Sequence, residues 1–234
     1  SSIFLCPHHG TKVQTAQAPS GSLHSLLICS PCALSDARTE VKMGHRSGDN
    51  MKFCSQCGSQ VRQKVPPGDN RLRHVCDQCQ TIHYQNPRIV AGCLPVWGKQ
   101  VLLCRRAIQP RYGLWTLPAG FMENGETVEQ AAIRETLEEA CARVRDLQLY
   151  TLFDLPHINQ VYMLFRAELA DLDFAAGEES LEVQLFDEAD IPWSELAFPT
   201  IGRTLEYFFA DRLAAVYPLR NEAIGPPPAK NKKV

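Results

Sequence analysis

The sequence predicts a mixed α/β domain preceded by a small four-cysteine zinc ribbon. Three observations predict it. Two Cys-x2-Cys pairs, Cys54/Cys57 and Cys76/Cys79, stand 18 residues apart. From Asn86 onward, strand-like and helix-like segments alternate. Finally, 44% of the 234 residues are hydrophobic and the formal charge is only -2. That composition suits a chain that builds a core without disulfides and excludes wholesale disorder.

The first 50 residues stand apart. They are rich in Ser, Ala, Pro and His, and they show no sustained period of 2 or 3.6. Residues 1–50 read as a poorly ordered extension, with the functional unit expected to begin at Met51. Cys6, His8, His9, Cys29 and Cys32 include enough candidate ligands for a metal site, but chance in a leader is the commoner origin of such a set.

Residues 51–84 carry the ribbon. Each cysteine pair sits in a turn-prone context, so two thiolates on one tight loop can reach one cation. Two such loops close a tetrahedral shell around Zn2+, and a fully thiolate shell leaves no position for water, which makes the zinc structural. Residues 85–215 form the second domain. Strands are predicted at 89–96, 101–104, 161–167 and 182–186, with a turn at Trp97-Gly98-Lys99-Gln100. Helices are predicted from Thr127 to about Val144 and from Thr200 to Val216. Cys93, Cys104 and Cys141 read as small core hydrophobes, Trp115 as a core aromatic and His157 as a loop or core histidine. Residues 216–234, Pro-rich and Lys-rich at the end, are expected to be a solvated tail.

Lys and Arg number 24 against 26 Asp and Glu, and the pI is near 6.4, so a dedicated nucleic-acid surface is disfavoured. No run approaches the roughly 18 apolar residues of a membrane span. Without a signal-like segment, the ten cysteines read as ligands and core thiols in a reducing cytoplasm.

The chemistry concentrates between Gly120 and Glu139. Thr127 with Gln130 is a capping-box signal. At about 100° per residue, Ile133, Leu137, Ala140 and Val144 form an apolar face, and Glu135, Glu138 and Glu139 project opposite it. Three like charges within one turn repel unless a cation sits between them. Mg2+ or Mn2+ is suited to the place, being hard, oxygen-seeking and compatible with phosphate ligands. A bare Glu-x2-Glu-Glu is more often a solvated face, but such a face requires neither the Gly-rich turn with Glu126 before it nor Arg134 within it.

This pattern resembles the Nudix hydrolase family, whose box reads G-x5-E-x7-R-E-U-x-E-E-x-G-U with U aliphatic. Gly120, Glu126, Arg134, Glu135, Glu138 and Glu139 match it, while Thr136, Cys141 and Ala142 depart at positions of packing and helix termination. The resemblance implies an α/β/α sandwich with a mixed sheet, usually a homodimer, and a small-molecule nucleotide substrate. It implies that Glu135 and Glu139 ligate the divalent metal, with Glu138 a ligand or an aid to water activation and the Ala119 carbonyl a further ligand. Glu126 and Arg134 would pair. A further acid resembles Glu179, with Glu178 and Glu182 as neighbours. Tyr84 and Phe121 match aromatic substrate contacts of zinc-ribbon relatives.

The resemblance implies hydrolysis of an X-linked nucleoside diphosphate with release of AMP. NADH pyrophosphatases carry a Ser-Gln-Pro-Trp-Pro-Phe-Pro-like stretch after the box. The corresponding residues 149–165 here hold one Pro and no Trp, so ADP-ribose or FAD is favoured over NADH or NAD. A non-catalytic regulator, or a ribbon that binds nucleic acid, is the alternative of another class. The intact box and the near balance of ribbon charges (Lys52, Arg62, Lys64, Arg71 and Arg73 against Asp69 and Asp77) count against both.

Overall fold

The computed structural model describes residues 51–226. The expectations for residues 1–50, candidate ligands included, and for residues 227–234 lie outside the described residues. Strands β1 (Val61–Lys64), β2 (Arg73–Cys76) and β3 (Ile82–His83) make a three-stranded antiparallel sheet in that order. Tight turns precede β1 and follow β2, closed by Gly58 N–H on the Cys54 carbonyl (2.9 Å) and Gln80 N–H on the Cys76 carbonyl (3.0 Å). Cys54, Val75 and Cys76 are buried, whereas Phe53, Val65, Leu72 and Tyr84 are exposed. A segment that buries so little apolar surface needs a crosslink to hold its shape.

The remaining strands are β4 (Arg88–Trp97), β5 (Gln100–Arg106), β6 (Trp115–Thr116), β7 (Ala119–Phe121), β8 (Val144–Leu155), β9 (Gln160–Leu169), β10 (Ser180–Phe186) and β11 (Arg220–Ala223). They form one sheet along the path β10-β5-β4-β9-β8-β11, with β6 on β5 and β7 on β4. The β4–β9 and β8–β11 pairs are parallel and the others antiparallel, so the sheet is mixed. Helices α1 (Val128–Ala140) and α2 (Pro199–Arg212) cover its two faces. The alternation of strand side chains assigns the faces. Leu94, Val96, Val101, Leu103 and Leu164 pack with Ile201, Leu205 and Phe208 of α2. Their neighbours Cys93, Phe165 and Ala167 pack with Ala131 and Ala132 of α1, and Leu102 and Cys104 with Ala140. This is the predicted sandwich.

Strands β4 and β5 pair only beside their turn, at Val96–Val101 and Trp97–Gln100, where Gly98 holds φ at +60°. They then diverge. Strand β6 pairs with β5 at Cys104–Thr116, and β7 pairs with β4 from Val90–Phe121 to Gly92–Ala119. The split brings Ala119-Gly120-Phe121 up to α1, which is where the site is built.

Several elements differ from expectation. Helix α1 ends at Ala140 because Cys141 turns left-handed (φ 48°) and donates its N–H to the Leu137 carbonyl (2.9 Å). Its buried side is Ala131, Ala132, Thr136, Glu139 and Ala140, while Ile133 and Leu137 are exposed. The helix therefore seats its small residues on the sheet, and Ile133-Leu137 is not its core face. Strand β8 was not legible in the sequence: it is interrupted by two register shifts and by a positive φ at Asp146, which break its period. Trp115 is in the core, and His157 is exposed in a short turn at Pro156–Ile158.

The expectation of a solvated tail from residue 216 is corrected. Strand β11 adds to β8, and the Tyr217 ring stacks on Phe208 (5.9 Å) beside Tyr150. The anchor is Asp211 of α2, which accepts a hydrogen bond from the buried Tyr150 hydroxyl (2.8 Å) and pairs with Arg220. Asp211→Ala leaves both partners unsatisfied in a poorly hydrated place, and the expected loss is roughly 2–3 kcal/mol. A urea titration checks it, and Tyr150→Phe should cost less because Asp211 keeps Arg220.

Candidate functional site

Two clusters carry chemistry. In the ribbon, the sulfurs of Cys54, Cys57, Cys76 and Cys79 all lie within 4.8 Å of one another. Cys54 and Cys79 are 3.6 Å apart, and Cys57 and Cys76 are 3.5 Å apart. A tetrahedral shell with Zn–S near 2.3 Å sets sulfurs about 3.8 Å apart, so the four thiols stand close to that geometry without a disulfide among them. The Thr81 hydroxyl, 3.1 Å from Cys79, holds that thiol down to about 6, poised to give the thiolate that metals bind. The His83 Nε2 is 3.3 Å from the Cys54 sulfur, outside the set of four.

The second cluster is on α1. Thr127 caps the helix, its hydroxyl accepting from Gln130 N–H (3.1 Å) while the Gln130 side chain accepts from Thr127 N–H (2.8 Å). Ahead of the cap, Glu126 accepts from Glu123 N–H (2.6 Å), which tightens the turn. Arg134 then ties turn to helix. Its Nε and Nη2 reach the two Glu126 oxygens at 3.0 and 2.8 Å, Nη2 also reaches the Phe121 carbonyl at 3.1 Å, and Nη1 reaches Glu135 at 2.8 Å and Glu138 at 3.0 Å.

The acids differ in environment. Glu139 is buried and accepts only a long bond from Ala119 N–H (3.3 Å). Burial first, then the charges of Glu135 and Glu179, push it up to about 8. Glu135 is also raised by burial, against the pull of Arg134. Glu138 is half exposed. A β-carbon on Gly120 would overlap the Glu135 carboxylate, so a larger residue there would force Glu135 to swing away. Of the later acids, Glu178 and Glu179 are both exposed and Glu182 pairs with Arg105 (3.6 Å); Glu179 is the one whose charge reaches both Glu135 and Glu139. The carboxylates do not converge on a point as the cysteines do, because Arg134 holds Glu135 and Glu138 toward itself.

Tyr84 and Phe121 are both exposed and each lies under a guanidinium, Arg73 over Tyr84 at 5.1 Å and Arg88 over Phe121 at 4.6 Å. Arg88, Arg105 and Arg106 could each neutralise phosphate on sequence grounds, and the sequence singles out none of them. Arg88 covers Phe121, Arg105 pairs with Glu182, and Arg106 is the one whose charge reaches Glu139, with its guanidinium over the Phe198 ring at 5.3 Å. No local signal separates the three, since only the pairing of β4 with β7 and of β5 with β10 and β6 sorts them.

The family profile described as NUDIX domain matches residues 86–208, and one described as Nudix N-terminal matches residues 52–85. A crystal structure of a NUDIX hydrolase from Nitrosomonas europaea is 54% identical, with a TM-score of 0.73, over 75% of this chain and 100% of its own. Two proteins named NAD-capped RNA hydrolase NudC are similar. That of Vibrio vulnificus is 32% identical over 65% of this chain and 54% of its own length. That of Vibrio cholerae is 34% identical over 66% and 54%. The chain thus spans about half the length of these curated relatives.

Arg134 also governs a pH effect. Its hydrogen bonds hold the Glu126 carboxyl below its ordinary 4.5. A depressed carboxyl adds stability above its unfolded pKa, and that stability is lost as pH falls through the lower folded value. Both groups are partly exposed and so partly screened. Arg134→Ala is therefore expected to cost roughly 1–2 kcal/mol at pH 7, a gap that narrows below about pH 4.5. Urea midpoints of the two proteins at pH 7 and pH 3.5 measure it.

Proposed function

The chain belongs to the Nudix family, and we propose that it is a divalent-metal-dependent pyrophosphohydrolase. Its substrate in this reading is a nucleoside diphosphate linked to a second group, ADP-ribose or FAD ahead of NADH. The observation that carries the proposal is the buried Glu139 carboxylate, which accepts a single long bond from Ala119 N–H (3.3 Å) on the same helical turn as Glu135 and Glu138, a burial cost that a bound cation would remove. The donor set fits a hard cation: carboxylate oxygens of Glu135, Glu139 and Glu179, with Glu138 at the rim and the Ala119 carbonyl adjacent. Mg2+ or Mn2+ bound there would offset diphosphate charge and acidify a water for attack on phosphorus.

The chain's own residues have distinct parts in this reading. Arg134 and Glu126 hold the 121–126 turn against α1. Glu138, solvent-facing and within reach of the helix edge, helps take the proton from the attacking water as the anhydride opens to AMP and a second phosphate ester. Arg106 neutralises substrate charge, and Phe121 and Tyr84 offer ring faces to a base. In the ribbon, Zn2+ crosslinks Cys54, Cys57, Cys76 and Cys79 and supplies no chemistry.

The preference for ADP-ribose or FAD is supported by residues 149–165. In place of a Pro- and Trp-rich loop they form most of the β8–β9 hairpin, paired along both strands. The relatives' name favours a second reading, an NAD(H) pyrophosphatase that also accepts NAD-linked RNA. Against RNA as the main ligand, Arg62 and Lys64 both pair with Asp77, and Arg73 with Asp69, so much of the ribbon's positive charge is neutralised. A homodimer is the expectation from the resemblance, and a reducing cytoplasm the expectation from the cysteine usage.

Three experiments test this function. First, turnover of ADP-ribose, FAD, NADH and NAD-capped RNA is compared on one preparation. A catalytic efficiency for NADH tenfold above both ADP-ribose and FAD, about 1.4 kcal/mol of transition-state preference, moves the assignment to the second reading. Second, Glu135→Gln and Glu139→Gln should lose most turnover while folded. Glu139→Gln should melt higher than the metal-free parent because a strained buried acid is gone; near-normal turnover in both variants sinks the ligand assignment. Third, purified protein should carry one zinc per chain, and its removal should lower the melting temperature before it touches the chemistry. Four titratable thiols with no zinc would refute the ribbon metal.

A further inference from the structure

The segment between β9 and β10 runs past the last turn of α1. Ala175 N–H donates to the Ala140 carbonyl (2.9 Å) and Gly177 N–H to the Glu139 carbonyl (3.0 Å). These are carbonyls that a helix end leaves without intrahelical donors, so the segment closes the helix. Contact this close depends on residue 177 having no side chain. A β-carbon there would overlap the Glu138 carbonyl oxygen and lie 2.8 Å from its carbon and 3.2 Å from the Glu139 carbonyl carbon. These are helix backbone atoms, which cannot turn aside as a side chain can. The φ of Gly177 is outside the left-handed region, so space and not dihedral freedom is the requirement.

Two residues on, Glu179 is held from the other side. Its carbonyl accepts Ala107 N–H (2.8 Å) just past β5, and Ser180 N–H returns to the Gly177 carbonyl (3.1 Å). A register shift between Ser180 and Glu182 then re-aims the start of β10 against Arg106 and Arg105. Glu179 is thus fixed between the end of α1 and the end of β5, and the α1 side of that grip passes through Gly177.

We propose that Gly177 is the positioning residue of Glu179: its missing β-carbon lets the 175–179 segment lie on the α1 backbone and sets Glu179 at the helical turn that carries Glu139. The proposal rests on the reading of the carboxylates as a divalent-metal site. Gly177→Ala must lift the segment off the helix by an ångström or more, which moves Glu179 while leaving Glu135, Glu138 and Glu139 on their helix.

The test is a double-variant cycle on the full chain, read as Mn2+ affinity by calorimetric titration, with melting temperature alongside. Gly177→Ala and Glu179→Gln are each expected to weaken Mn2+ binding about tenfold. The combined variant should bind no more weakly than Glu179→Gln alone, because the displaced acid is already gone. A combined variant weaker than Glu179→Gln by the full factor that Gly177→Ala costs would overturn the proposal, as would unchanged affinity in Gly177→Ala. Should that variant not fold, Ala175→Pro, which removes the N–H to Ala140 from the same segment, replaces it in the cycle, and unchanged Mn2+ affinity there overturns the claim that the seat of this segment on α1 places Glu179. Glu139→Gln separates the two claims. Its binding Mn2+ like the parent sinks the metal site itself, whereas its losing Mn2+ while Glu179→Gln does not sinks only the role of Gly177.

Discussion

The Arg134 guanidinium holds together parts of the chain that would otherwise repel or separate. It binds both oxygens of Glu126, one each of Glu135 and Glu138, and the Phe121 carbonyl. A lysine could not do this, because one ammonium cannot present a planar fork to Glu126 and still reach along the helix to Glu138. Through this tie the turn that follows β7 is drawn onto α1, Gly120 comes under Glu135, and the backbone at Ala119 comes within reach of Glu139. The opposition of Arg134 and the acids also leaves the arrangement incomplete. Positive charge sits on the outer edge of the cluster, and the inner edge, at Glu139, has little to balance it.

That imbalance follows from how α1 packs. Ala131 and Ala132 pack with Ala91, Cys93 and Phe165, Ala140 packs with Leu102 and Cys104, Thr136 is buried on the same side, and these small side chains bring the helix axis close to the sheet. The Thr136 hydroxyl is satisfied within the helix by the Ala132 carbonyl (2.7 Å), so it costs little where an aliphatic residue would serve the family pattern. A helix seated on alanines carries its neighbouring positions down with it, and Glu139 is one of them. The larger apolar residues Ile133 and Leu137 are turned to solvent by the same rotation. Burial of a carboxylate and exposure of two aliphatics are a single geometric fact.

The other face of the sheet has the opposite character. Helix α2 meets it with Ile201, Leu205, Phe208 and Phe209 against Leu94, Leu103, Tyr150 and Phe153, a thick apolar layer. Its one buried acid, Asp211, is fully paired by Tyr150 and Arg220, in contrast to Glu139. The ribbon solves its lack of core differently, by convergence of four sulfurs.

What the residues alone determined is whatever depends on short-range spacing. The cysteine pairs, the capping box at Thr127, the i, i+3, i+4 glutamates and the Glu126–Arg134 interval are all set by one or two turns of backbone, so they were legible before any fold. Strands β4 and β9 were legible too, because strands covered on both faces keep a sustained apolar run. The rotation of α1 was not: Ile133 and Leu137 outweigh the alanines in any apolar count, and only the nearness of the sheet decides that small residues face it. Nor were β8, whose two register shifts against β9 break its period, and β11, whose parallel partner β8 lies far back in the chain. Gly177 and Arg106 carry no local signal, because each matters only for what lies across from it, the backbone of α1 in one case and Glu139 in the other. Only the tertiary structure chooses such partners, since contacts between residues so far apart in the chain are set by how layers pack and not by the pattern within any one of them.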